Sequence, residues 1–111
     1  MNGSGMDAKE FVANWNALRA ELLAAFRAPE ATSEVAAKVR AMGVSAGQSV
    51  QMQGVLDAVV KDTMVALLLG LDGEASIGDS QQAFTITDED GNVIQGIEEA
   101  AWECFHGAAG Q

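Results

Sequence analysis

Phe84-Thr85-Ile86-Thr87-Asp88-Glu89-Asp90-Gly91-Asn92-Val93-Ile94 is the segment whose reading decides the fold class. Phe84 and Ile86 alternate with Thr85 and Thr87, a period of two written in β-formers. Two registers are open around the acidic turn. A two-residue loop at Asp90-Gly91 sets Ile86 against Gln95 and Thr87 against Ile94, apolar against polar. A type I turn over Asp88 to Gly91, closed by a glycine bulge, sets Ile86 against Ile94 and Thr87 against Val93. It gathers Phe84, Ile86 and Ile94 on one face, which a one-residue slip would turn outward, so the bulged register is expected. On this reading the segment is a β-hairpin and the chain an α+β domain: mostly helical, with three N-terminal helices, one β-hairpin and one C-terminal helix. A lone hairpin is marginal in water, so it is expected to pack on the third helix or to extend a sheet in a second chain.

Upstream, Asp7 to Phe26 reads as a helix. Phe11, Trp15, Leu18, Leu22 and Phe26 recur at steps of four, three, four and four, a single helical stripe. Asp7 and Glu10 have the spacing of a capping box with Asp in the Ser/Thr place. Pro29 ends this helix or opens the next. Thr32 or Ser33 can cap a short second helix to Met42, with Val35, Val39 and Met42 on its apolar side and Gly43 just past its end. A third helix starts from Ser45 with Gln48, or from Ser49, and Met52, Leu56, Val59, Val60, Thr63, Leu67 and Leu71 share one of its faces. Beyond Asp62 its polar side disappears, because Val65, Leu68 and Leu69 stand where charge is expected. A helix apolar all round is covered on more than one side, and a homodimer seam through Met64, Val65, Leu68 and Leu69 is the expected assembly. Leu71-Asp72-Gly73 ends the helix and Glu74 to Gln82 is a polar loop. After Gly96 a last helix, Ile97 to Phe105, turns Ile97, Ala101, Cys104 and Phe105 inward. Residues 1–6 are expected to be a flexible leader, 7–106 one domain and 107–111 a frayed tail.

The 111 residues suit a single domain, and a hydrophobic content of 49% is far above that of a disordered chain. The net charge of −10 is lopsided. Residues 1–49 hold five cations and five acids, whereas residues 50–111 hold Lys61 against eleven acids. That balance argues against nucleic acid as a partner, which needs a Lys/Arg footprint. A single cysteine, Cys104, fits a reducing cytoplasm. Met1 to Gly5 has neither the basic nor the apolar region of a signal peptide, and the apolar run Met64 to Leu69 is far short of the roughly 20 residues of a membrane span. A cytoplasmic protein with no membrane contact is expected.

Chemistry-bearing motifs resolve into structural ones. Asp88-Glu89-Asp90-Gly91-Asn92 resembles a calcium loop, but aligning Gly91 with the loop glycine puts Ile86 and Ile97 at the two anchor positions. A solvated turn is the better reading. Glu103 and His106 have the Glu-x-x-His spacing of di-iron bundles, yet it occurs once and His106 is the sole histidine. His106 reads as a cation at a helix C-terminus. Cys104 lacks an activating base and reads as a small core residue. Trp102 borders the last helix's apolar face, as a partner anchor or as cover for the core edge. No phosphate-cradling glycine loop, nucleophile elbow or Cys-x-x-Cys pair is present. No catalytic residue, cofactor or metal ligand is therefore expected. The candidate partner-binding residues are Asp88, Glu89, Asp90, Glu99, Trp102 and Glu103.

Leu67-Leu68-Leu69-Gly70-Leu71-Asp72-Gly73, the acidic-turn segment and Ile97-Glu98-Glu99-Ala100-Ala101-Trp102-Glu103 together resemble a pattern in small uncharacterised bacterial proteins of immunity-like or mobile gene-cassette type. The resemblance spans about residues 67–105 and implies no catalytic residue. The resulting expectation is a non-enzymatic protein that docks a basic protein partner through its acidic second half, in its sharper form an immunity or inhibitor protein. The alternative is a small-ligand-binding or enzymatic subunit with a pocket at a dimer seam lined by Trp102, Met64 and Leu68.

Overall fold

A computed structural model describes residues 5–28 and 33–107. Helices α1 (Ala8–Arg27), α2 (Glu34–Met42), α3 (Ala46–Leu71) and α4 (Ile97–His106) follow one another along the chain. Among the described residues there is no β-strand, so the fold is all-helical and not α+β. Local capping chemistry sets the boundaries. Asp7 accepts a hydrogen bond from the Glu10 N–H at 2.8 Å. Ser33 does the same for Ala36 at 3.1 Å, and Gly43, at φ +62°, closes α2. Ser45 and Gln48 form a reciprocal capping box at the start of α3. The readings of Pro29 and Thr32, and of the leader and tail at 1–4 and 108–111, lie outside the described residues.

The expected β-hairpin does not form. Thr87 and Val93 meet in one isolated antiparallel bridge, and the chain reverses between them. Gly91, at φ +86°, donates its N–H to the Asp88 carbonyl at 3.0 Å, the Asp88 N–H donates to the Asn92 carbonyl at 3.0 Å, and the Ile94 N–H donates to the Ile86 carbonyl at 2.8 Å. Two facts stop the ladder there. Gly96 adopts φ +79° and α4 starts at Ile97, leaving three residues for a second strand. On the other side the Phe84 N–H donates to the Leu71 carbonyl at the end of α3, at 3.3 Å. Phe84 itself is 43% exposed, and only Ile94 of the expected apolar trio is fully buried.

The core gathers at one end of the molecule. Ala8 and Val12 of α1, Met64, Val65 and Leu68 of α3, Ile94, and Ile97, Ala100, Ala101 and Phe105 of α4 form a single buried cluster. Phe11, Trp15, Leu22, Val60, Leu69 and Ile86 pack around it. Each fully buried Leu, Val or Ile contributes about 1.5–3 kcal/mol of transfer free energy, so this cluster holds the fold. Met64, Val65 and Leu68 are thus the interior of one chain, with Leu69 half-buried at its rim. This corrects their expected place at a dimer seam: α4 and α1 of the same chain cover them. Cys104 is also corrected, since it is exposed while Ala100, one turn back, takes the inward position. The other half is thinner. α2 lies against α1 and buries Ala36 alone.

Candidate functional site

The first turn of α1 is where the acidic elements meet. The loop at 88–92 is tied to the segment entering α1, because the Met6 N–H donates to Asp88 Oδ2 at 3.2 Å. Met6, Glu10, Asp88, Glu89 and Asp90 line a shallow cleft of about 160 Å³. On the opposite flank α4 passes α1, and Asp7, Lys9, Gln95, Gly96, Glu99 and Glu103 surround a second cleft of about 460 Å³. Seven carboxylates therefore ring one helical turn. Among the described residues Lys9 is the one cation lining either cleft. The other end of α1, roughly 30 Å away by helical rise, has the opposite character: Arg27 and Arg40 line a cleft of about 260 Å³ there.

Asp88 builds the loop. Its Oδ1 accepts the N–H groups of Asp90 and Asn92, each at 2.9 Å, and its Oδ2 accepts the Asn92 side-chain amide at 3.1 Å in addition to Met6. Hydrogen bonds from the Asn92 backbone and side chain, and then from Met6, hold its pKa down to about 2 from the usual 3.8. A carboxyl depressed in the folded state stabilises it above the unfolded pKa, and that stabilisation is lost as pH falls through the folded one. Asp88→Ala is thus expected to lower Tm at neutral pH, with the gap to wild type closing between about pH 4 and pH 2. Thermal scans across that range check it, and a gap independent of pH would remove the charged hydrogen bonds as its origin.

Two further contacts position α4. Gly96 offers no side-chain cap, and Asp72 at the end of α3 takes that role by accepting the Glu98 N–H at 2.9 Å. A carboxylate at a helix N-terminus is favourably placed against the helix dipole. Arg19 of α1 then links three helices. Its Nε lies 2.6 Å from Asp57 Oδ1 on α3, and its guanidinium stands 5.9 Å from the centre of the Phe105 ring on α4. The hydrogen bond from Arg19 draws the Asp57 pKa below its usual value.

Among the sequence-derived candidates, Glu89 and Asp90 join the acidic end from the loop, and Glu99 and Glu103 join it from α4, all four exposed. Trp102 is 46% exposed, its ring 4.9 Å from the imidazole of His106, and it lines neither cleft. With Met64 and Leu68 buried, the seam pocket they were expected to line with Trp102 does not assemble in this chain. Asp7 and Glu10 are the site residues that sequence reading missed. Their capping spacing was visible, but their closeness to residues 88–103 is a tertiary fact. Partial desolvation by its neighbours pushes the pKa of the exposed Cys104 thiol up, which disfavours the thiolate a nucleophile needs. Among the described residues no group of three or more His, Cys, Asp or Glu side chains is arranged to hold a metal ion, and no helix is long and apolar enough to cross a membrane. Comparison with family models, curated proteins and solved structures finds no match to this chain.

Proposed function

We propose that the chain is a non-enzymatic binding protein that docks a basic protein partner on its acidic end. The observation that carries this reading is the meeting of Asp7, Glu10, Glu89, Asp90, Glu99 and Glu103 around one turn of α1, with Lys9 as the neighbouring cation. Such a surface steers a cationic partner and raises its encounter rate, with strong salt dependence. Asp88 is the frame of this surface; the exposed carboxylates beside it make the contact. An immunity or inhibitor role, in which the acidic end occludes a basic toxin or nuclease, is the sharper form of the proposal.

The test uses a lysine- and arginine-rich peptide as probe. A variant combining Glu89→Gln, Asp90→Asn, Glu99→Gln and Glu103→Gln is compared with one combining Glu21→Gln, Glu34→Gln, Glu74→Gln and Asp79→Asn, which removes equal charge elsewhere. Titration at low and high salt should show binding that salt weakens, reduced about tenfold or more in the first variant and little in the second. Equal losses in both variants would reduce the effect to net charge and discard the site.

A further inference from the structure

The segment 81–87 runs to the acidic loop without a turn or bend, and it carries neither charge nor proline. Its hydrogen bonds fall on one edge. The Phe84 N–H donates to the Leu71 carbonyl, the Ile86 carbonyl accepts the Ile94 N–H, and the Asp88 N–H donates to the Asn92 carbonyl. Thr87 and Val93 therefore face each other as a non-hydrogen-bonded pair. In such a pair the N–H and C=O of Thr87 point away from Val93, and those of Thr85, two residues back, point the same way. Among the described residues none of these four groups has a hydrogen-bond partner. The side chains divide in step: Ile86 packs against the core, while Thr85 and Thr87 are exposed. The hairpin does not form, and its first arm keeps a free edge built from strand-forming residues. Proteins commonly block such edges with charged side chains or proline, and this one has neither.

We propose that the basic partner docks an extended segment of its own chain on this edge, pairing as a strand with Thr85 and Thr87 while its lysines and arginines meet the acidic loop. The proposal rests on the acidic end as the docking surface and adds the mode of recognition. Charge selects the occupant. Thr87 leads directly into Asp88, so the free edge ends at Glu89 and Asp90, which share a shallow cleft with Glu10 and no cation among the described residues. A basic segment laid along the edge gains main-chain hydrogen bonds and opposite charge in one register. A second copy of this chain would instead bring a net charge of −10 to a surface already acidic. Main-chain pairing of this kind supplies affinity, and side chains on alternate positions supply selectivity. The four free groups are held at fixed positions before the partner arrives, because Phe84 is tied to the end of α3 and Ile86 to Ile94. Little ordering entropy is then lost on this side of the contact.

The probes are a peptide of alternating lysine and valine and the same peptide N-methylated at every amide, which keeps the charge and has no N–H to donate. The full chain should bind the first about tenfold or more tightly than the second. Thr85→Pro removes a donor of the free edge and no internal hydrogen bond, and it should erase that difference; far-UV circular dichroism confirms that the variant is folded. Equal affinity of the two peptides for wild type overturns the proposal whatever the variant does. The four-carboxylate variant should lose both peptides. If it does so while wild type does not distinguish them, the acidic end stands and strand pairing alone is discarded; if it binds both as wild type does, both readings fall. A wild-type dimer in sedimentation equilibrium that Thr85→Pro dissociates would give the edge to a second copy and overturn the proposal.

Discussion

Leu68→Ala is expected to lower the unfolding free energy by about 3–5 kcal/mol. Leu68 has no exposed surface and sits among Val12, Ile97, Ala101 and Phe105, where α1, α3 and α4 converge. Removing its branched end loses transfer free energy and leaves a cavity. The walls are helices held at fixed spacing by the Arg19 link and the Asp72 cap, so they collapse only partly. A chain of this size has a total stability of roughly 5–15 kcal/mol, so the loss is a large fraction of the whole. At about 4–8 °C per kcal/mol it lowers Tm by more than about 10 °C. The comparison variant is Leu18→Ala, the same deletion where the side chain is 45% exposed, with an expected cost of about 1 kcal/mol or less. Urea or thermal unfolding of the pair decides the matter. Similar losses at both positions would mean that the core is not centred on the α3 segment 64–68.

What the sequence made legible followed the range over which each signal acts. Caps are local chemistry, so Asp7, Ser33, Ser45 with Gln48, and Gly43 were readable as boundaries, and all four helices lie close to where periodicity puts them. Rotation of α3 was not readable. A helix apolar all round presents no polar side to orient it, and the face chosen is split: Met52, Leu56, Val60 and Leu71 are half-buried and Val59, Thr63 and Leu67 exposed, while Met64, Val65 and Leu68 turn fully inward. The same ambiguity made these core residues look like a dimer seam. Alanines were undervalued for a related reason. Ala101 was read as inward, but Ala8, Ala36 and Ala100 are also buried, and hydrophobic stripes weigh large side chains more than the small ones that let helices meet. At residues 84–94 alternation in β-formers was a true local preference without a partner: α4 begins too soon, and Phe84 is bonded to the end of α3. The acidic end was half legible. Charge counting found its residues, whereas the joining of Asp7 and Glu10 to them depends on how α1 crosses α4.

Gly73→Ala is the second substitution with a large expected effect, and it probes the joint that sets α4. Gly73 has φ +82°, and an added Cβ would lie 3.0 Å from Ala83 Cα and 3.2 Å from Ala83 N. Both neighbours are backbone, so no side-chain rotation relieves the contact. The chain at 81–84 is also pinned, since the Gln81 side-chain amide donates to the Gly73 carbonyl at 3.1 Å and the Phe84 N–H donates to the Leu71 carbonyl at 3.3 Å. The left-handed backbone alone costs a non-glycine residue about 1–3 kcal/mol, and displacement of the 81–84 segment adds to it. Because Asp72 is the adjacent residue and caps α4, the distortion reaches the Glu98 N–H and the buried Ile97 beside it. Gly91→Ala isolates the backbone part: φ is +86° there, but a Cβ would meet nothing within 4 Å. Gly73→Ala should therefore be clearly less stable than Gly91→Ala, and hydrogen exchange should show faster exchange of α4 amides in the first variant alone. Equal losses with equal α4 protection would mean that the end of α3 does not approach residue 83 and that α4 is held by its core contacts without help from the joint.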